Sequence, residues 1–95
     1  MAIKVIITRK VAKGRQKDLL PFLMDLRTKA MSQKGYISGE TLRGISDVDE
    51  FLVISTWESL EDWQAWENSP ERREIQGKID AILEEKTAAK AYLYG

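Results

Sequence analysis

The chain opens on a β-branched, nearly unbroken apolar run: Ile3, Val5, Ile6 and Ile7 lie within Ala2–Lys10. Such a run suits a strand, and its few polar interruptions predict cover on both faces. Gly14 breaks it. From about Arg15 to Gln33 the apolar period becomes helical. Leu19, Phe22, Leu23, Leu26 and Ala30 fall on one stripe. Pro21 lies inside that pattern, which predicts a lost backbone bond and a slight kink. Leu20, Met24 and Met31 form a second apolar flank, wider than a core stripe needs. Lys34-Gly35 supplies a glycine stop.

Tyr36 to Arg43 reads as a second strand, with Gly39 in its middle, where glycine weakens pairing but admits a close neighbour. Turn residues follow from Gly44 to Asp49, and Phe51 to Trp57 is a third strand, antiparallel to the second across this short connection. Ser59-Leu-Glu-Asp62 has the form of a capping box and opens a short helix through Glu67. Ser69-Pro70-Glu71 is a second helix start. The helix it opens is expected to reach about Glu85, burying Ile75, Ile79, Ile82 and Leu83. Glu84-Glu85 would be its solvated end, and Ala88 to Tyr94 the last strand. The order β-α-β-β-α-β, with the second helix broken at Asn68-Ser69, predicts an α+β ferredoxin-like sandwich with both helices on one sheet face. Ile6, Ile54 or their neighbours would then face away from the helices, and a second copy of the chain is the simplest cover.

Composition narrows the chemistry. Ninety-five residues predict one domain, residues 1–95. Fifteen basic and fifteen acidic residues cancel, so no net field favours nucleic acid or anionic lipid. The absence of cysteine excludes a thiol nucleophile or thiolate metal site. The absence of histidine removes the commonest general base and haem ligand. MAIKVIITRK lacks the long apolar core of a signal peptide, and no run approaches a membrane span. A soluble, cytoplasmic protein is expected, with no membrane or nucleic-acid partner. No phosphate loop, metal-ligand spacing or nucleophile–base pair is visible.

The segments GYISGETLR and EFLVISTWESLEDWQAWENSPER, with LLPFL in the first helix, resemble the antibiotic biosynthesis monooxygenase domain family. The resemblance covers essentially the whole chain. It implies a homodimer whose two sheets close into an α/β barrel, with a cavity between helices and sheet in each subunit. The family includes cofactor-free oxygenases of aromatic polyketides and quinols, and also haem-degrading enzymes. Trp66 matches the tryptophan of the haem-degrading branch, but Ile7 stands at its asparagine position and Gln76 at its histidine position. Haem degradation is therefore not expected. Trp57 matches the tryptophan that closes the third strand of the polyketide-oxidising branch, and Trp63 is aromatic as there. Val53 and Gln76 depart from the asparagine and arginine of that branch.

Trp57, Trp63, Trp66 and Gln76 are the residues expected around a substrate; the aromatic wall carries over from the resemblance, neither polar set does, and no catalytic group is assigned. Read from the residues alone, Trp57 is either core packing or a pocket wall. Of Trp63 and Trp66, Trp66 is the one expected to face a cavity. Gln76 sits at the edge of an apolar stripe and is either solvated or directed into a pocket. Arg72 is expected to snorkel to water. Glu40 would accept a proton if it faced the cavity. Tyr36, Tyr92 and Tyr94 read as core or interface. The functional expectation is a cofactor-independent monooxygenase that joins a small aromatic or quinol substrate to molecular oxygen, needing no metal. The alternative is a non-catalytic dimer that binds a small aromatic ligand.

Overall fold

A computed structural model describes residues 1–95. The elements run β1 (Ile3–Val11), α1 (Gln16–Met31), β2 (Tyr36–Arg43), β3 (Glu50–Trp57), α2 (Leu60–Glu67), α3 (Pro70–Asp80) and β4 (Leu83–Leu93). The four strands form one antiparallel sheet in the order β2-β3-β1-β4. This is the ferredoxin-like α+β sandwich that the element order predicts.

Alternation along β1 decides which residues enter the core. Ile3, Val5, Ile7, Arg9 and Val11 are buried, while the residues between them are half-buried or exposed. Across the β1–β3 register, Ile3 stands opposite Trp57, Val5 opposite Ser55, Ile7 opposite Val53 and Arg9 opposite Phe51. These residues form the sheet face on which the helices lie. Leu19, Leu23, Leu26 and Ala30 of α1 and Ile75 and Ile79 of α3 close over it. Burying each large aliphatic side chain here is worth about 1.5–3 kcal/mol. The opposite face carries Ile6 directly across from Ile54, and Leu42 across from Leu52. Ile6, Ile54 and Leu52 are only half-buried there.

Both serine caps form. Ser59 Oγ accepts from the Asp62 amide at 3.1 Å and Ser69 Oγ from the Arg72 amide at 3.2 Å. Gly35 ends the turn after α1 with φ +85°. Its carbonyl accepts from the Glu58 amide at 2.7 Å, which ties that turn to the end of β3.

Two helix ends differ from expectation: α1 stops at Met31, capped by Ser32, short of the expected Gln33 and its glycine stop. α3 ends at Asp80, and β4 begins at Leu83, not near residue 88. Ile82 continues the helical apolar period but lies in the connecting turn. Its amide donates to the Ile79 carbonyl, and its own carbonyl accepts from Ala12, both at 2.9 Å. Leu83 then pairs with Val11 and Glu85 with Lys10. Glu84 is thus no helix end; it forms an ion pair with Lys10 at 3.4 Å across the strands.

Candidate functional site

Three short-range features bring the aromatic residues together. Trp57 ends β3 on the helix-facing side, between Ile3 on β1 and Tyr36 on β2. It is 1% exposed, and its indole Nε1 donates to Ser55 Oγ at 3.1 Å. The Ser59 cap starts α2 almost at once, so Trp63 and Trp66, three residues apart, turn one face back over the strand ends. The Tyr36 ring meets Trp57 edge-on with centroids 5.4 Å apart, and Trp57 meets Trp63 at 5.8 Å. Such edge-to-face pairs suit the ring quadrupoles. Gly39 makes room for this array, because a methyl group there would sit 2.7 Å from the Tyr36 hydroxyl.

These rings wall a cavity of about 60 Å³ between sheet and helices. Ile7, Val53 and Ser55 contribute from the sheet, and Leu23, Leu26 and Ala30 from α1. Trp57, Trp63 and Trp66 all line it, so both α2 tryptophans reach the space where only Trp66 was expected. Arg27, Glu40 and Thr41 are its exposed lining residues, so its mouth lies between α1 and β2. Glu40 therefore stands at the rim; it pairs opposite Ile54, in the register of the other sheet face. Tyr36, read from the sequence as core or interface, is part of the wall.

Gln76 does not line the cavity. Its Oε1 accepts from Arg9 Nη2 at 2.7 Å. Its Nε2 donates to Asp80 Oδ1 at 2.8 Å and to Thr87 Oγ1 at 3.0 Å. One acceptor and both amide hydrogens are thereby engaged within the protein. The pocket placement expected for Gln76 is corrected: the amide stands behind Arg9, and Arg9 is the residue at the cavity.

Two buried cations also line the cavity: Arg9, which the sequence reading did not single out, and Arg72, which it expected to reach water. Arg9 is 2% exposed and Arg72 7% exposed. Arg72 does not snorkel. Its guanidinium lies 5.3 Å from the Trp63 ring centroid, a cation–π contact shielded from water. Burial pushes the Arg9 guanidinium down to about 10, with the nearby Arg72 charge adding to the effect and Asp80 opposing it. Burial also lowers Arg72, against the pull of Glu67 and Asp80. Both remain cations at neutral pH. A signal for Arg9 was present: it falls on the Ile3, Val5, Ile7, Val11 alternation, which a reading of β1 as apolar on both sides passes over. No three acidic side chains gather into a set that could hold a metal ion.

Fold and site together define an α+β ferredoxin-like domain with an aromatic-walled cavity between sheet and helices. Residues 2–78 match the model of the antibiotic biosynthesis monooxygenase family, and the chain belongs to that family. It is 25% identical over 81 residues to Protein SchA of Streptomyces halstedii, which covers 85% of this chain and 21% of that protein. The chain spans only about a fifth of the length of the curated relatives it matches. Among solved structures, a conserved protein of Methanosarcina mazei superposes with a TM-score of 0.93 at 15% identity, covering 100% of this chain and 94% of that one. SnoaB, a cofactor-independent oxygenase of Streptomyces nogalater, superposes with a TM-score of 0.88 at 11% identity, covering 99% of this chain and 93% of that one. At these identities the structural likeness shows the shared fold. No helix of the chain is long and apolar enough to cross a membrane.

Proposed function

We propose that the chain is a cofactor-independent monooxygenase of a small quinol or polyphenol, working as a homodimer. The observation that carries the reading is the cavity walled by Trp57, Trp63, Trp66 and Tyr36 in a member of a monooxygenase family. The likeness to SnoaB supports the absence of a cofactor requirement.

The chemistry balances without an outside reductant. Oxygenation of a ring C–H ortho to a hydroxyl turns a hydroquinone and O₂ into a hydroxyquinone and water. The substrate supplies all four electrons; one oxygen atom becomes the new ring oxygen and the other leaves as water. Loss of the phenolic proton makes the ring electron-rich enough to reduce oxygen. The protein then has to exclude water and stabilise the anion. The tryptophans serve the first task, and Arg9 and Arg72 face the same space. Gln76 acts on Arg9 from behind the wall and does not touch substrate in this reading.

Admission of a ring requires movement. A cavity of about 60 Å³ is well below the roughly 150 Å³ of an engineered cavity that takes benzene. The long Arg27 side chain at the exposed mouth is the simplest part to swing aside. The half-buried Ile6, Ile54 and Leu52 on the open sheet face support dimerisation through that face.

Oxygen uptake with a panel of hydroquinones, on protein free of metal and flavin, tests the reading. Uptake that is lost in a Trp66→Ala variant with native sedimentation supports the enzyme. Ligand-induced quenching of tryptophan fluorescence without oxygen uptake overturns it in favour of a binding module.

A further inference from the structure

Two buried guanidiniums face the cavity without a carboxylate partner. Arg9 reaches it from β1 and Arg72 from the first turn of α3. Neither takes part in an ion pair. A guanidinium carries five N–H donors. The Arg9 side chain makes one hydrogen bond, from Nη2 to Gln76. Its Nε is fully buried with no hydrogen-bond partner. Because Gln76 lies outside the lining, the guanidinium is tethered from behind and its remaining Nη donors are left for a group within the cavity. The Arg72 guanidinium makes no hydrogen bond at all and rests on Trp63. The one acidic lining residue, Glu40, is exposed at the mouth.

A buried cation without a partner is costly, and a planar guanidinium is shaped to take a planar oxyanion. The remaining wall is flat, apolar and aromatic. We propose that Arg9 and Arg72 form an oxyanion-binding pair, and that the cavity selects a small aromatic anion with its ring on the tryptophans and its carboxylate or phenolate on the two guanidiniums. The proposal rests on the reading of this cavity as the substrate site. It is tested by binding and not by oxygen uptake, so the two fail separately.

The experiment compares 4-hydroxybenzoate with 4-hydroxybenzamide, which keeps the ring and removes the charge, by tryptophan fluorescence and calorimetry on the intact protein. The acid should bind about tenfold tighter or more, the scale of one charge-assisted hydrogen bond. The acid-to-amide ratio should collapse toward one in Arg9→Met and in Arg72→Met, and be partly kept in Arg9→Lys. Because the ratio is taken within each variant, partial loss of folding cancels. 4-Nitrophenol, held at a pH where it is half ionised, distinguishes the source of the oxyanion. A shift of its absorbance toward the phenolate on binding assigns the pair to phenolates; strong acid preference without that shift assigns it to carboxylates. Equal binding of acid and amide together with no phenolate shift of 4-nitrophenol, a preference or shift that survives both methionine variants, or no binding of any probe overturns the proposal. Acid preference without oxygen uptake by any hydroquinone would keep the anion site and remove the oxygenase.

Discussion

Arg9 on β1 donates from Nη2 to Oε1 of Gln76 on α3 at 2.7 Å, across 67 positions of sequence. The contact exchanges the roles expected of the two residues. The amide becomes the support, and a strand residue that a hydrophobic reading overlooks becomes the polar group at the cavity.

The cost of that arrangement is measurable. Burial lowers the Arg9 guanidinium to about 10, so holding its charge in the folded protein carries a penalty. Arg9→Met should therefore make the ligand-free protein more stable, by roughly 1–3 kcal/mol after the loss of the Gln76 bond. A higher urea midpoint with an unchanged slope would show it. The penalty belongs to the protonated form. It is fully present below the folded-state value near 10 and is relieved as pH rises through it, so the advantage of the variant should shrink above pH 10. A variant less stable than wild type at neutral pH would make Arg9 a structural member.

Gly35 should tolerate no side chain. Its φ of +85° lies in the left-handed region, and a methyl group there would collide with the Asp62 side chain. Gly35→Ala is expected to cost about 1–3 kcal/mol, read by thermal or denaturant unfolding. Gly14 has a similar φ of +82° but open space around it, so Gly14→Ala should cost less. Equal losses at the two sites would remove Asp62 as the cause.

The open sheet face should be the dimer contact. Ile6 and Ile54 face each other across the central strands, and a lysine at Ile54 would place a charge in the middle of that surface. Sedimentation at low micromolar concentration should show a dimer for the wild type and a monomer for Ile54→Lys. A stable wild-type monomer defeats this expectation.

Haem turnover should be absent. The chain has no histidine, Ile7 is an apolar wall residue, and the Gln76 amide is committed to Arg9, Asp80 and Thr87. Haemin titration followed by reductant should bleach the Soret band no faster than in a protein-free control. Ring opening that depends on the protein would contradict it.

Features that depend on near neighbours are legible in the residues alone. Ser59 and Ser69 announce helix starts because a capping hydroxyl reaches only an amide two or three residues on, and both caps form as written. Gly35 takes the positive φ of the turn that follows the first helix, and the stripe Leu19, Leu23, Leu26, Ala30 is buried because its spacing puts it on one side. The element order then leaves few ways to arrange one sheet and its helices. Local rules failed at Ile82, whose apolar period suits a helix and whose burial is satisfied equally well in a turn. The character of the cavity comes from contacts that exist only once the chain has folded. Which face of β1 receives the helices determines that Arg9 lies inside and Lys10 outside. The crossing of α3 over the sheet determines that Gln76 meets Arg9 and not the cavity. Such encounters join residues far apart in the chain. Their energy comes from burial and lost hydration, which no local pattern of residues contains.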